Sequence, residues 1–273
     1  MKKLVAICSF LLVGFFAEAQ SDSTSKVAFK IGAFYNSGLN YYGRTDSLRS
    51  SGFFPVAELW LNKNFYLNAA PVFVINSQSN FDYAGTVATA GYRFTDDKFS
   101  GNISFVKPFY ESGTQLVQSA LKAQFSTLFT WSNKVININA GGDVKFSDKV
   151  DLGASGGIDH IFRKEFPDRS VLVLDPSLYV HAGTQQFTKT YYKQSSFLFF
   201  PGVEQTVTEN VRKFNILSYE FSMPVVFAKG KFQLIAIPAY VIPQNLITVQ
   251  DRPDLSERGR EMFYATVGVK LSL

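Results

Sequence analysis

Two histidines, His160 and His181, are the residues of this sequence that could take part in hydrolysis. A serine hydrolase needs a serine and a histidine in hydrogen-bond reach, with an acid or amide to orient the imidazole ring. Ser177 and His181 share one face of a predicted strand with Asp175, but four residues of strand span roughly 13 Å. His160 has the parity of apolar residues and is expected to face outward near a rim. The sequence therefore predicts no catalytic site, and we expect the protein not to be an enzyme.

Two groups of acidic residues have simpler explanations than catalysis or metal binding. Asp96 and Asp97 resemble a protease acid pair, but they lie in a predicted turn, where aspartate is a common residue. Asp251, Asp254 and Glu257 could gather Ca²⁺, although three arginines of the same loop could equally neutralise them, and the spacing is not that of an EF-hand. We predict no metal and no cofactor.

Composition limits the partners of the chain. The formal net charge of +5 is small and dispersed along the sequence, so no nucleic-acid partner is predicted. The one cysteine, Cys8, lies near the amino terminus inside an apolar run. A mature chain that has lost this segment would form no disulfide.

The first residues predict a cleaved secretory signal. Lys2 and Lys3 precede the apolar run 4–16, and Ala17-Glu18-Ala19 follows as a small-x-small cleavage site. The run is shorter than the roughly 20 residues of a spanning helix. We therefore expect a signal peptide at 1–19 and one domain at 20–273.

Two-residue alternation of apolar and polar side chains runs through nearly the whole mature sequence. From Phe263 to Leu273 one parity is apolar and the other polar, and the segments 117–131 and 135–146 show the same pattern. No stretch keeps the 3.6-residue period of a helix. The mature chain is predicted to be all β.

Three features favour membrane strands over a soluble β-sandwich. The alternating segments reach roughly 11–15 residues, whereas a tilted membrane strand needs about 9–11 and sandwich strands usually have about 5–6. Short turns mostly alternate with longer polar loops. Aromatic residues flank the tight turns, as in the interfacial girdles of membrane barrels; they are Trp60, Phe65, Phe94, Phe99, Trp131, Phe227 and Phe232.

These signals predict an antiparallel up-and-down β-barrel of about twelve strands with both termini on the periplasmic side. A second strand pair within 184–200 would raise the count to fourteen. The predicted strands are 27–36, 52–62, 64–76, 84–94, 98–110, 116–131, 135–146, 150–162, 170–182, 212–227, 231–243 and 262–273.

The signal segment, the amphipathic strands and the closing segment Phe263–Leu273 resemble the bacterial outer-membrane β-barrel class, porin-like proteins included. The closing segment is similar to the C-terminal signal read by the barrel-assembly machinery, with Leu273 in place of the usual terminal aromatic residue. The resemblance implies localisation in the outer membrane of a Gram-negative bacterium, contact with outer-membrane lipid, and that machinery as a partner. It indicates no specific functional family.

If the apolar parity faces lipid, charged residues of the other parity line the interior, because an Arg or Lys on the lipid face costs about 2–4 kcal/mol at midplane. Two interpretations stay open: a hydrated channel for small polar solutes, and an ion-pair network that plugs a barrel with a surface-binding or structural role. An embedded lipid hydrolase is the least favoured. The predicted interior residues are Lys30, Glu58, Arg93, Lys122, Asp143, Lys145, Asp151, Asp159, Asp175, Glu220 and Lys270.

The long loop 183–211 carries several aromatic residues with mixed charges. It could fold into the barrel as a constriction, present an aromatic ligand platform, or extend the neighbouring strands beyond the membrane.

Overall fold

A computed structural model describes residues 27–111, 116, 120–185, 213–247 and 256–273. The predicted signal peptide and most of the loop 183–211 lie outside these residues. The described chain forms fifteen strands: β1 Ala28–Asn36, β2 Ser51–Trp60, β3 Phe65–Ile75, β4 Asp82–Thr95, β5 Phe99–Tyr110, β6 Ala123–Trp131, β7 Asn137–Phe146, β8 Val150–Asp159, β9 Phe162–Glu165, β10 Val171–Leu174, β11 Ser177–Gly183, β12 Asn215–Ser222, β13 Val225–Lys229, β14 Phe232–Pro243 and β15 Met262–Ser272.

Antiparallel pairing closes twelve of these strands into a ring. Neighbours in sequence pair from β1 to β8; β8 then pairs with β11, β11 with β12, β12 with β14, and β14 with β15. The ring closes where β15 pairs with β1, from Lys30 opposite Ser272 to Asn36 opposite Thr266. The predicted barrel and its count of twelve strands are confirmed. Direct pairing of β11 with β12 leaves no place in the ring for the two strands of the fourteen-strand alternative.

The three remaining strands continue ring strands past a break in the wall. β9 follows β8, β10 precedes β11 and β13 follows β12 in the chain, and the three pair with one another as β9–β10–β13. Pro176 and Pro224 stand at two of the breaks. Proline lacks the amide proton that a central strand would donate, so the ladder is interrupted at these positions.

The two ends of the barrel differ in their connections. We call the end with the start of β1 and the end of β15 the terminal end, and the opposite one the distal end. Tight turns join strands at the terminal end, as at Asn62, whose side-chain Oδ1 accepts the backbone N–H groups of Asn64 and Phe65 at 2.8 Å each. Longer connections lie at the distal end, apart from the tight turn 147–149, where Ser147 N–H donates to the Lys149 carbonyl.

Side-chain alternation separates an apolar outer wall from a largely polar interior. Phe65, Phe99, Phe129 and Trp131 expose between 44% and 56% of their surface on the outside, close to the terminal-end turns. Trp60 was expected among them, and that expectation is wrong. Its indole Nε1 donates to Glu58 Oε1 at 2.5 Å inside the barrel, because Trp60 shares the parity of Glu58.

The sixth predicted strand is shorter than expected, since β6 begins at Ala123 and not near residue 116. Among the described residues, no helix is long and apolar enough to cross a membrane.

Candidate functional site

A cluster of basic side chains surrounds one carboxylate in the terminal half of the interior. Lys270 Nζ lies 2.9 Å from Glu58 Oε2, and Lys30 Nζ lies 3.8 Å from Glu58 Oε1. The Trp60 ring lies beneath two cations, with Lys30 Nζ 5.0 Å and the Arg93 guanidinium 5.6 Å from the ring centre. Glu58 therefore lies against two lysines, and Arg93 lies over the ring of its neighbour Trp60, with β1, β2, β4 and β15 supplying these residues. We call Lys30, Glu58, Arg93 and Lys270 the basic cluster.

Acidic side chains occupy the facing wall. Asp159, at the end of β8, accepts hydrogen bonds from Asn137 Nδ2 at 2.6 Å and Asn139 Nδ2 at 2.5 Å. Asp175, just before β11, lies against Asp159. The ring order places β8 six strands from β2 in either direction. The acidic pair Asp159–Asp175 and the basic cluster thus stand on opposite walls.

The distal half of the interior is filled by the loop 37–50, which joins β1 to β2 and which we call the inner loop. Its tip is a two-residue hairpin turn: Tyr41 and Arg44 exchange backbone hydrogen bonds of 2.8 and 3.0 Å. Tyr42 (φ 53°) and Gly43 (φ 78°) lie between them in the left-handed region, as a type I′ turn requires. A Cβ at residue 43 would come within 2.9 Å of Pro243, so glycine also permits the close approach of this wall.

Arg44 fixes the inner loop inside the barrel. Its guanidinium is fully buried, and Nε donates to Glu257 Oε2 at 3.1 Å in the loop 244–261. The other two nitrogens donate to the backbone carbonyls of Tyr42, Leu217 and Gln244 at 3.0–3.2 Å. Thr45 N–H also donates to the carbonyl of Arg258. The inner loop is therefore bonded to β12 and to both ends of the loop 244–261.

The aromatic tip of the inner loop reaches the far wall. The Tyr42 ring stacks on His181 of β11 with centres 4.8 Å apart, and Lys145 Nζ of β7 lies 5.9 Å and 6.0 Å from the Tyr41 and Tyr42 ring centres. Lys145 also forms an ion pair with Asp143. Burial, with the nearby carboxylates, raises the pKa of Tyr42, so this loop phenol stays neutral.

A cavity of about 410 Å³ remains between the inner loop and the wall formed by β2 to β5. Apolar side chains form one side, among them Leu39, Phe54, Val72 and Val87. Polar side chains of the inner loop, β7, β12 and β15 form the other; they are Asn40, Tyr41, Tyr42, Lys145, Glu220 and Tyr264.

The eleven predicted interior residues lie in three places. Lys30, Glu58, Arg93, Lys270, Asp159 and Asp175 lie in the terminal half, as described. Asp143, Lys145, Asp151 and Glu220 lie in the distal half; Asp151 is fully buried and accepts from Thr184 Oγ1 at 2.6 Å. Lys122 is at the distal rim, outside the strands, where its side chain is 61% exposed and pairs with Asp148 at 2.8 Å.

The inner loop is the feature that sequence reasoning missed. We expected the loop 183–211 to be the inward-folding segment, and most of it lies outside the described residues. A signal for the inner loop was present in Asn40-Tyr41-Tyr42-Gly43-Arg44, because aromatic residues before a glycine and an arginine are unusual in a solvated loop.

Within the described part of the chain, no hydrogen bond joins either histidine to a serine hydroxyl, although Ser155 and Ser218 lie opposite His181 in the ladder. His181 stacks between Tyr42 and Tyr179. His160 Nδ1 lies 2.6 Å from the carbonyl of Val135, and its ring packs edge-on against Phe162. The last-loop acids do not meet as predicted for a cation either: Glu257 bonds Arg44, and Asp251 and Asp254 lie outside the described residues.

Comparison with known proteins shows the architecture of this chain but assigns it to no family. No family model matches the sequence, and no curated protein matches it. Among solved structures, an outer membrane channel from Pseudomonas putida is similar with a TM-score of 0.51 and 10% identity, over 94% of this chain and all of that one. The KdgM porin has a TM-score of 0.49 at 10% identity, over 89% and 99% of the two chains. LpxR from Salmonella typhimurium has 0.46 at 8%, over 89% and 99%. Solved neighbours of this chain are thus outer-membrane β-barrels, and porins are among them.

Proposed function

We propose that this protein is a passive channel of the bacterial outer membrane, which admits small polar solutes past the inner loop. The barrel fold and the predicted signal at 1–19 support this localisation. Assembly through the closing strand β15 by the barrel-assembly machinery belongs to the same proposal. The likeness to solved channels at about a tenth identity supports the fold, so the argument for transport rests on the interior.

The observation that carries the proposal is the separation of charge across the terminal half. The lysines of the basic cluster are not packed away, since the side chains of Lys30 and Lys270 are 28% and 20% exposed. A barrel stabilised by ion pairs alone would place an acid beside each cation, whereas Lys30 and Lys270 share the single carboxylate of Glu58. Here the acidic pair is held by Asn137 and Asn139 on the facing wall. Water and ions passing between the two walls would experience their opposite charges.

Reversal potentials across a planar bilayer test the proposal. Wild-type protein is expected to give steady, salt-dependent conductance steps. The double variant Lys30→Gln/Lys270→Gln removes two cations from the interior and is expected to shift selectivity toward cations. Lys122→Gln is the matched control, because its lysine lies at the exposed distal rim, and it should leave the reversal potential unchanged at high salt.

The plugged-barrel alternative gains support from the inner loop, which occupies the distal half. It predicts no conductance in wild type, and conductance only after the inner loop is released. A folded, membrane-inserted wild-type protein that never conducts, while Arg44→Ala does, would replace the channel proposal with the plugged barrel.

A further inference from the structure

The cavity beneath the inner loop has one apolar side and one polar side. A passage for water alone would not need the apolar side. In the terminal half, the inward side chains of β2, β3 and β4 include Glu58, Asn68 and Arg93. In the distal half, the same three strands turn Phe54, Val72, Val74 and Val87 inward, and Val72 and Val74 are buried in one hydrophobic cluster. Leu116 and the inner-loop Leu39 pack against part of this apolar surface, and the partly buried Phe54 and Val87 border the cavity.

The polar side of the cavity carries one paired cation and one acid that is only hydrogen-bonded. Lys145 is paired with Asp143, and its side chain is only 5% exposed. Glu220 shares a hydrogen bond with Tyr264, which also contacts Asn40. An anionic guest would have to enter beside Glu220 without a free counter-charge, which is costly in a buried site. A neutral guest with a hydroxyl or amide group would meet donors and acceptors without that cost.

The volume of the cavity and the aromatic rings that line it limit which molecules could bind there. A volume of about 410 Å³ lies within the range of roughly 300–1,000 Å³ typical of small-molecule sites. Tyrosine rings form part of both sides of the cavity, and aromatic rings offer flat faces for stacking; they are Tyr41, Tyr42, Tyr110 and Tyr264.

We propose that this cavity is a binding site for a neutral amphipathic molecule of about one ring, with its apolar part against Phe54, Val72 and Val87 and a hydroxyl or amide group toward Asn40 and Tyr264. The site deepens the proposed channel function by naming a class of solute, and it rests on that function for its use in transport. Binding itself is measured without conductance, so the two proposals fail separately.

The test uses two probes of one shape: 4-fluorobenzamide and 4-fluorobenzoate. Their fluorine resonances are titrated with the full-length mature protein in lipid nanodiscs, and empty nanodiscs correct for partition into lipid. The neutral amide is expected to bind saturably, and the anionic benzoate about tenfold more weakly or less. No saturable binding of the amide, or equal binding of the benzoate, would overturn the proposal.

A variant pair locates the site within the barrel. Val72→Thr/Val87→Thr keeps side-chain volume but places hydroxyl groups on the apolar side, and it is expected to weaken amide binding several-fold. Val106→Thr is the matched control, since Val106 also faces inward, opposite Thr89, but does not line the cavity. Equal weakening by both variants, or by neither, would place the bound amide elsewhere and refute this assignment.

Discussion

The two halves of the barrel interior use charged residues in opposite ways. In the terminal half, Lys30 and Lys270 are partly exposed and face Asp159 and Asp175 across the ring. In the interior of the distal half, Arg44 and Lys145 are buried and each is held in an ion pair. A charge that is paired in a region without water stabilises the fold, whereas a partly hydrated charge acts on the ions and solutes that pass through the barrel. The same residue types therefore serve different purposes at the two ends.

The largest expected effect comes from breaking the distal arrangement at Arg44. Arg44→Ala removes four side-chain hydrogen bonds and leaves Glu257 buried without its partner, which costs about 3–5 kcal/mol for a buried pair. The inner loop should leave the interior, and single-channel conductance should rise several-fold. Arg49→Ala, in the same loop but exposed, is the control. Unchanged conductance in Arg44→Ala would mean that the inner loop does not obstruct the passage.

Lys145 tests whether distal charges stabilise the fold more than they select ions. Lys145→Met keeps the length of the side chain but leaves Asp143 without its ammonium partner in a buried place. We expect a loss of about 3 kcal/mol in the free energy of unfolding, measured by urea titration of the lipid-reconstituted barrel. A variant as stable as wild type would contradict the structural role of this pair.

Variants of the acidic pair test whether charges of the terminal half select ions more than they stabilise the fold. Asp159→Asn/Asp175→Asn should shift the reversal potential toward anions while changing stability by about 1 kcal/mol, because an amide oxygen at position 159 still accepts one of the two hydrogen bonds that Asn137 and Asn139 donate. Asp148→Asn at the distal rim is the control. A large loss of stability without a change in selectivity would show that charges of the terminal half also serve the fold and not the selection of ions.

The smallest effect is expected from substitution of Lys122. Its cost in stability is the reference against which the cost at Lys145 is compared. Both are lysines of the distal half in ion pairs, yet the Lys122 side chain is 61% exposed and that of Lys145 is 5% exposed. Lys122→Met should cost at most about 0.5 kcal/mol, and the difference from wild type should vanish at 1 M salt. A cost equal to that of Lys145→Met would show that burial does not distinguish the two pairs.

Alternation within strands made the barrel, its twelve-strand ring and the parity of residues such as Glu58 and Lys270 predictable from the sequence. Parity predicts Trp60 on the inner face with Glu58, but an aromatic residue beside a turn also fits a girdle, and the girdle expectation was wrong because the ring lies inside, against Lys30. The breaks near Pro176 and Pro224 were likewise hidden within long predicted strands.

The inner loop was not predictable for a different reason. Its position depends on contacts between Arg44 and Glu257, which are 213 residues apart, and no local pattern encodes such a contact. The cavity depends on the same placement, so neither its apolar side nor its polar side could be assembled from the sequence alone.

The ion pair between Arg44 and Glu257 also has a consequence for the order of folding. The inner loop follows β1 and the loop 244–261 precedes β15, so the two loops come together where the first and last strands of the ring pair. Contacts between residues so distant in sequence form slowly, because the intervening chain must first be ordered. We therefore expect Arg44 to become buried late in folding, when β15 pairs with β1 and closes the ring.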